Sequence, residues 1–326
     1  MQKKQATLSF RSTFEQEVYE GLTAFPKHLS SKYFYDEKGD KLFQDIMAMP
    51  EYYLTDCEFD ILEAHKTEIG ELFKKDGEPF SLLELGAGDG KKTKILLQHF
   101  VNNQFKFDYR PIDISQNALD QLEESIREEI PQVEINTLQG TYFETLQDIS
   151  RMNGKRKIIL FLGSNMGNLL HPQAVDFLRN MRESINEDDL IFMGLDQKKN
   201  PQTILDAYND KAGITEAFNK NILTRINSEM GGDFELDKFL HWEVYDPETG
   251  TAKSYLVSKE EQMVKIESLG LEVRLNAWET IHTEISQKYD DTVVEWLADQ
   301  ANLKIVTHFT DERQWFKNYV FKKYNL

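Results

Sequence analysis

The stretch Ser81-Leu-Leu-Glu-Leu-Gly-Ala-Gly-Asp-Gly90-Lys-Lys-Thr93 decides how this chain folds. An apolar strand, Leu82 to Leu85, runs directly into glycines at positions 86, 88 and 90, and a helical pattern follows. Without a Cβ, glycine permits a tight turn and close approach of a ligand to the backbone. At the carboxyl end of a strand in an open α/β sheet, that is where ligands bind.

The spacing narrows the ligand. A dinucleotide fingerprint needs its third glycine at position 91, which is Lys91, and the phosphate-cradling G-x-x-x-x-G-K-[ST] is absent. A NAD-linked oxidoreductase is thereby disfavoured. Glu84 before the turn, and Asp113 closing the next strand in Tyr109-Arg-Pro-Ile-Asp113, suit a nucleoside, because a carboxylate accepts from both ribose hydroxyls. The combination points to S-adenosylmethionine, which carries a sulfonium and an amino acid tail and no phosphate. An ordinary strand-to-helix turn is the alternative, since lone glycine motifs are common.

Composition bounds the rest. The 326 residues hold 38 Lys and Arg against 56 Asp and Glu, a formal charge of −18 that repels nucleic acid and anionic lipid. Hydrophobic residues make up 40%, enough for a sizeable core. Cys57 is the only cysteine, so no intrachain disulfide or cysteine metal cluster can form, which suits the cytosol. Met1 to Thr7 lacks a signal core, and no stretch approaches the roughly 18 apolar residues of a membrane span. A soluble cytoplasmic protein, monomeric and without nucleic-acid or membrane partners, is expected.

Outward from the glycines, Thr55-Asp-Cys-Glu58 reads as a capping box for a helix carrying Leu62, Ile69 and Phe73. Phe105 to Asp113 reads as the second strand, and Ser115 as the N-cap of a helix bearing Leu119, Leu122 and Ile126. After the basic loop Arg151 to Lys157, the apolar runs Ile158 to Leu162 and Leu190 to Gly194 fit parallel strands buried on both faces. Strands alternating with helices predict a doubly wound sheet. The rhythm breaks from Asp196 to about Tyr289, where polar helices (Thr203 to Asn227), a Gly231-Gly232 turn and alternating segments (Phe239 to Tyr245, Ser254 to Val257) predict an inserted α+β lobe. Leu303 to Phe309 and Trp315 to Phe321 read as a terminal strand pair. Taken alone, the aromatic clusters Tyr33-Phe-Tyr35 and Tyr52-Tyr53 read as packing.

Over most of its length the chain resembles the ergothioneine-pathway histidine Nα-methyltransferases. The resemblance is carried by Tyr33-Phe-Tyr-Asp-Glu-Lys-Gly39, Leu42-Phe43, Pro50-Glu-Tyr-Tyr53, Leu83 to Thr93, Pro111-Ile-Asp-Ile-Ser115, Phe161-Leu-Gly-Ser-Asn-Met-Gly-Asn168, Ala207-Tyr-Asn-Asp-Lys-Ala-Gly213, Ala217-Phe-Asn-Lys-Asn221 and Thr283-Glu-Ile-Ser-Gln-Lys-Tyr289. It implies an α/β fold, a Rossmann-like class I methyltransferase domain (60–195 plus 290–326) with an inserted α+β substrate-binding lobe (1–59 plus 196–289). It also implies methylation of a free amino acid's α-amine, stepwise to a betaine.

Family roles carry over onto matching positions. Gly86, Lys92 and Asp113 hold the cofactor, joined by Glu84, Gly88 and Gly90 of the motif. Tyr52, Asn168 and Tyr208 grip the substrate's amino and carboxylate ends, with Tyr52 and Asn168 nearest the chemistry. Glu284 and Ser286 take its imidazole, and Tyr35 stands beside them. If Thr283 to Lys288 is extended, Glu284 and Ser286 share a face, because strand side chains alternate.

Two departures stand out. The acidic residue expected after the third strand is replaced by Gln139-Gly-Thr-Tyr-Phe143, leaving Thr141 as the contact to the adenine, and similarity is thin from Glu248 to Ser268. Another free aromatic amino acid, tryptophan or tyrosine, is therefore the runner-up substrate, and a non-catalytic cofactor-binding protein is the alternative from another class. The seven histidines, His241 among them, lack metal-ligand spacing and read as structural or surface residues, and no metal is expected.

Overall fold

The computed structural model describes residues 10–151 and 154–324, so Met1 to Thr7 and, in the basic loop, Met152 and Asn153 lie outside the described residues. The chain divides into two compact units, one of residues 1–52 and 200–286, the other of 53–199 and 287–326.

In the second unit, all six residues of the strand Phe80–Leu85 are buried, which only a central strand covered on both faces achieves. It pairs in parallel with Phe107–Asp113 on one side and Arg156–Phe161 on the other. From it the chain first builds outward through Phe107–Asp113 and then crosses back to Arg156–Phe161 on the other side, and this reversal makes its carboxyl end the switch point of the sheet. Leu190–Asp196 continues in parallel beyond Arg156–Phe161. Phe316–Lys323 then adds antiparallel, Leu303–Thr310 forms one edge, and the two-residue strand Leu138–Gln139 forms the other, giving seven strands. Met166, Phe177, Met193, Val294 and Tyr319 are among the buried side chains of the core packed against this sheet. Ser115 caps the helix Gln116–Glu129 as its sequence predicts, its Oγ accepting from the Ala118 N–H at 3.2 Å. The helix Tyr53–Phe73 starts earlier than expected. Thr55 therefore stands inside its first turn and caps nothing.

The first unit has a four-stranded sheet ordered Lys27–His28, Thr280–Gln287, Thr251–Ser258 and Phe239–Asp246, and a hairpin of Gln262–Ile266 with Leu271–Leu275. The helical stretch expected over Thr203 to Asn227 is two helices, Pro201–Tyr208 and Ile214–Met230. Asp210 separates them by accepting from the N–H groups of Ile214 and Thr215, which opens a new helix instead of continuing the old one. Phe34, Phe218, Ile222, Phe239, Leu256 and Ile281 pack in this unit's core.

Candidate active site

Two of the three glycines in the turn leave no room for a side chain. Gly86 has φ +72°, and a Cβ there would stand 2.7 Å from Tyr142 Oη and 3.2 Å from Asn165 Nδ2. Gly90, also at positive φ, caps the helix Lys91–Asn102, and a Cβ would collide with the Leu122 side chain. At Gly88 the same construction meets nothing within 4 Å, so this glycine borders open space. Its N–H donates to Asp113 Oδ2 at 3.3 Å, while Asp113 Oδ1 accepts from the Ser115 N–H at 3.0 Å. Asp113 is thus held at the rim of the turn, with lone pairs to spare for hydroxyl donors. Lys92, the second residue of the following helix, pairs with Glu58, whose carboxylate is fully buried. Glu58 also accepts from the Gly163 N–H at 2.7 Å and from Asn318 Nδ2 at 2.8 Å.

One expected cofactor residue is corrected. Glu84 does not face the turn: it is 3% exposed and accepts from Thr93 on one oxygen and Tyr109 on the other, in the layer between sheet and helix. Burial pushes its carboxyl up to about 7, against the opposing hydrogen bonds of Thr93 and Tyr109. Thr141 is occupied as a helix cap, donating from Oγ1 to Glu144 Oε2 at 2.7 Å and accepting from the Glu144 N–H at 3.4 Å. Its hydroxyl caps the helix Tyr142–Arg151, and the residue is exposed. Glu58, Tyr142, Gly163 and Asn165 were not singled out from sequence. Tyr142 and Asn165 betray themselves only by crowding Gly86, and Glu58 was masked by its place in the apparent capping box.

Asn168 ends a short 3-10 turn, Asn165–Asn168, at the carboxyl end of the strand Arg156–Phe161, and is exposed. The turn is fixed by Ser164 at φ +59°, whose carbonyl accepts from the Gly167 N–H at 2.8 Å and whose Oγ accepts from the Asp196 N–H at 3.0 Å.

In the first unit, Tyr52, Tyr208 and Glu284 line one cavity together with Phe43, Phe218, Asn219 and His241. Glu284 and Ser286 both lie on the strand Thr280–Gln287, as the alternation requires. Ser286 joins the group through Tyr208, whose Oη is 2.8 Å from Ser286 Oγ. The rings of Tyr52 and Tyr208 meet edge to face at 6.1 Å. Tyr35 packs edge-on against Phe43 and Phe218, each at 5.5 Å, and so braces two residues of the cavity wall. Of the seven histidines read as structural or surface residues, His241 is structural and also borders the cavity. It is 6% exposed, lines the cavity, and has both ring nitrogens engaged, Nε2 with the Tyr208 carbonyl at 2.9 Å and Nδ1 with Asn219 Nδ2 at 2.8 Å. The inward half of the alternation along Phe239–Asp246 is the sequence signal that would have found it.

Residues 14–323 match the family model described as "Histidine-specific methyltransferase, SAM-dependent". The chain belongs to this family. As a member it is an S-adenosylmethionine-dependent amino acid N-methyltransferase. Among curated proteins it is similar to the histidine N-alpha-methyltransferase of Mycolicibacterium smegmatis, 34% identical over 93% of this chain and 92% of that protein. It is also similar to ergothioneine biosynthesis protein 1 of Schizosaccharomyces pombe, 28% identical over 90% of this chain and 39% of that one. Among solved structures, the CcbJ methyltransferase from Streptomyces caelestis aligns with a TM-score of 0.45 at 14% identity, covering 81% of this chain and 95% of that one.

The methyltransferase's glycine turn fits S-adenosylmethionine on its own geometry: open space over Gly88, a fixed acceptor at Asp113, and a cation at Lys92. No helix among the described residues is long and apolar enough to cross a membrane.

Proposed function

We propose that this methyltransferase methylates the α-amine of free L-histidine, three times in succession, to the betaine. The observation that carries the reading is the convergence of Tyr52, Tyr208 and Glu284 on one cavity, with Ser286 hydrogen-bonded to Tyr208. These residues come from opposite ends of the chain, and in the curated relative that shares a third of the residues the printed substrate is histidine. Glu284 accepts an imidazole N–H, Ser286 serves the other ring nitrogen, and Tyr52 and Tyr208 hold the backbone end of the amino acid. Asn168 orients the α-amine, its amide able both to donate and to accept.

Gly86, Gly88, Gly90, Lys92 and Asp113 hold S-adenosylmethionine, which supplies a methyl group already activated by its sulfonium. What remains for the chain is alignment and exclusion of competing water. The α-amine reacts as its neutral form, and solvent takes the protons it sheds as methyls accumulate.

Calorimetry in the presence of S-adenosylhomocysteine tests the substrate. Histidine should bind, and Glu284→Ala and Ser286→Ala should each weaken it about tenfold or more, the cost of leaving a buried donor or acceptor unpaired. Unchanged affinity in both variants, with tryptophan or tyrosine binding instead, would move the enzyme to another aromatic amino acid. Binding of the cofactor product with no amino acid at all would leave a non-catalytic binder.

A further inference from the structure

Asn219 is 3% exposed and lines the cavity beside Tyr208 and Glu284, yet its Oδ1 has no hydrogen-bond partner among the described residues. The orientation of this amide follows from its neighbours. His241 Nε2 faces the Tyr208 carbonyl, which can only accept, so that nitrogen carries the hydrogen. Desolvation lowers the His241 pKa, so the ring is neutral and its Nδ1 is an acceptor. Asn219 must therefore present its NH2 to Nδ1, at 2.8 Å, and that same NH2 reaches the Tyr255 carbonyl at 3.3 Å. Both N–H groups are taken, flipping the amide would set oxygen against nitrogen lone pair, and the oxygen is left over. A buried acceptor without a donor is costly, and native interiors seldom tolerate one unless a ligand or water completes it.

We propose that Asn219 Oδ1 is a specificity-determining contact of the substrate cavity, accepting a hydrogen from an N–H of the bound amino acid. The inference rests on the reading of this cavity as the amino acid site. A hydrogen donor is demanded because a carboxylate or carbonyl would face the oxygen with like charge, and the donors a free histidine carries are N–H groups. The ammonium and a ring N–H both have this chemistry. His241 is the positioning residue that locks the amide, and Tyr208, whose carbonyl locks His241, ties the lock to the substrate-gripping tyrosine.

The test compares wild type with Asn219→Leu, an apolar near-isostere, and with the smaller Asn219→Ser, using histidine and its ring analogue 4-thiazolylalanine, which lacks the ring N–H. Substrate affinity is read by calorimetry with S-adenosylhomocysteine bound, alongside the KM and kcat of methyl transfer and the affinity for S-adenosylhomocysteine itself. The expected result is a KM for histidine raised roughly tenfold to a hundredfold, with cofactor-product affinity unchanged. If the ring N–H is the partner, wild type should prefer histidine over the analogue and Asn219→Leu should lose that preference. If the ammonium is the partner, the variant should weaken both ligands alike. Histidine affinity unchanged in both variants would overturn the proposal. So would a parallel loss of cofactor-product affinity and melting temperature in both, which marks a purely structural amide. Failure of wild type to bind histidine at all would instead remove the proposed function beneath it.

Discussion

Gly86 combines a positive φ with a Cβ position already crowded by Tyr142 Oη and Asn165 Nδ2, so Gly86→Ala should abolish binding of S-adenosylhomocysteine in calorimetry while the protein still folds. Retained affinity would place the cofactor elsewhere. Glu84 makes a different kind of claim, about stability. Its carboxyl titrates near 7 in the folded protein against an ordinary value of 4.5, because burial disfavours the charge. The folded state therefore holds a proton that the unfolded chain has released, and stability falls as pH rises through that window. At roughly 1.4 kcal/mol per unit the full effect is on the order of 3 kcal/mol above the folded value. Glu84→Gln should melt close to wild type at acid pH, pull ahead of it as pH rises from 4.5 to about 7, and keep a constant lead above that; parallel melting curves across the range would refute the assignment. Glu84 also shows where a sequence reading stops. Its position before the glycines was legible, but the face to which its side chain turned depended on Thr93 and Tyr109, and neither carries a motif.

Among the elements, the helix Ile214–Met230 supplies the cavity with Thr215, Phe218 and Asn219, and its start is fixed by Asp210. That carboxylate accepts from the Ile214 N–H at 3.1 Å, the Thr215 N–H at 2.8 Å and Thr215 Oγ1 at 2.7 Å. Burial alone would raise its pKa, but these hydrogen bonds outweigh it and hold the carboxyl below its usual range. The stabilisation is therefore present at neutral pH and is lost as pH falls through the depressed folded value. Asp210→Ala should cost about 1 to 2 kcal/mol in urea unfolding and weaken histidine binding more than cofactor binding. Equal effects on both ligands would argue that the helix does not shape the amino acid site. The buried parallel strands were readable from their apolar runs and the terminal pair from its polar turn, whereas the two-residue edge strand Leu138–Gln139 offers no run to read. The break was not read, although Asn209-Asp210 and Gly213, which stands at φ +79° as the N-cap of the second helix, are poor helix formers. The cavity residues Tyr52 and Glu284 were reached through the family resemblance, since periodicity assigns a half-buried tyrosine or strand glutamate no role. Asn219 and His241 escaped because their part is played through each other.

For the molecule as a whole, the chain passes between its two units at 52/53, 199/200 and 286/287. In the second unit, a residue next to or near each crossing meets the same carboxylate: Tyr53 Oη reaches Asp196 Oδ2 at 2.8 Å, Lys288 Nζ reaches it at 2.9 Å, and Lys199 pairs with Oδ1. Asp196 and Lys288 are both fully buried. Burial works against the charge on Asp196, yet Lys288 and Lys199 prevail and keep its pKa depressed. Removing it would strand a buried ammonium, so Asp196→Asn should lose about 3 to 5 kcal/mol of stability; a loss under one would show the cluster to be dispensable. The functional account depends less on any one of these residues than on which small molecule gains the methyl. The decisive measurement is mass spectrometry of the purified protein incubated with S-adenosylmethionine and an equimolar panel of free amino acids. Histidine should acquire one, then two, then three methyl groups, all on the α-nitrogen, ahead of tryptophan and tyrosine. Histidine left unmodified while another amino acid is methylated, or no methyl gained by any, would contradict the account.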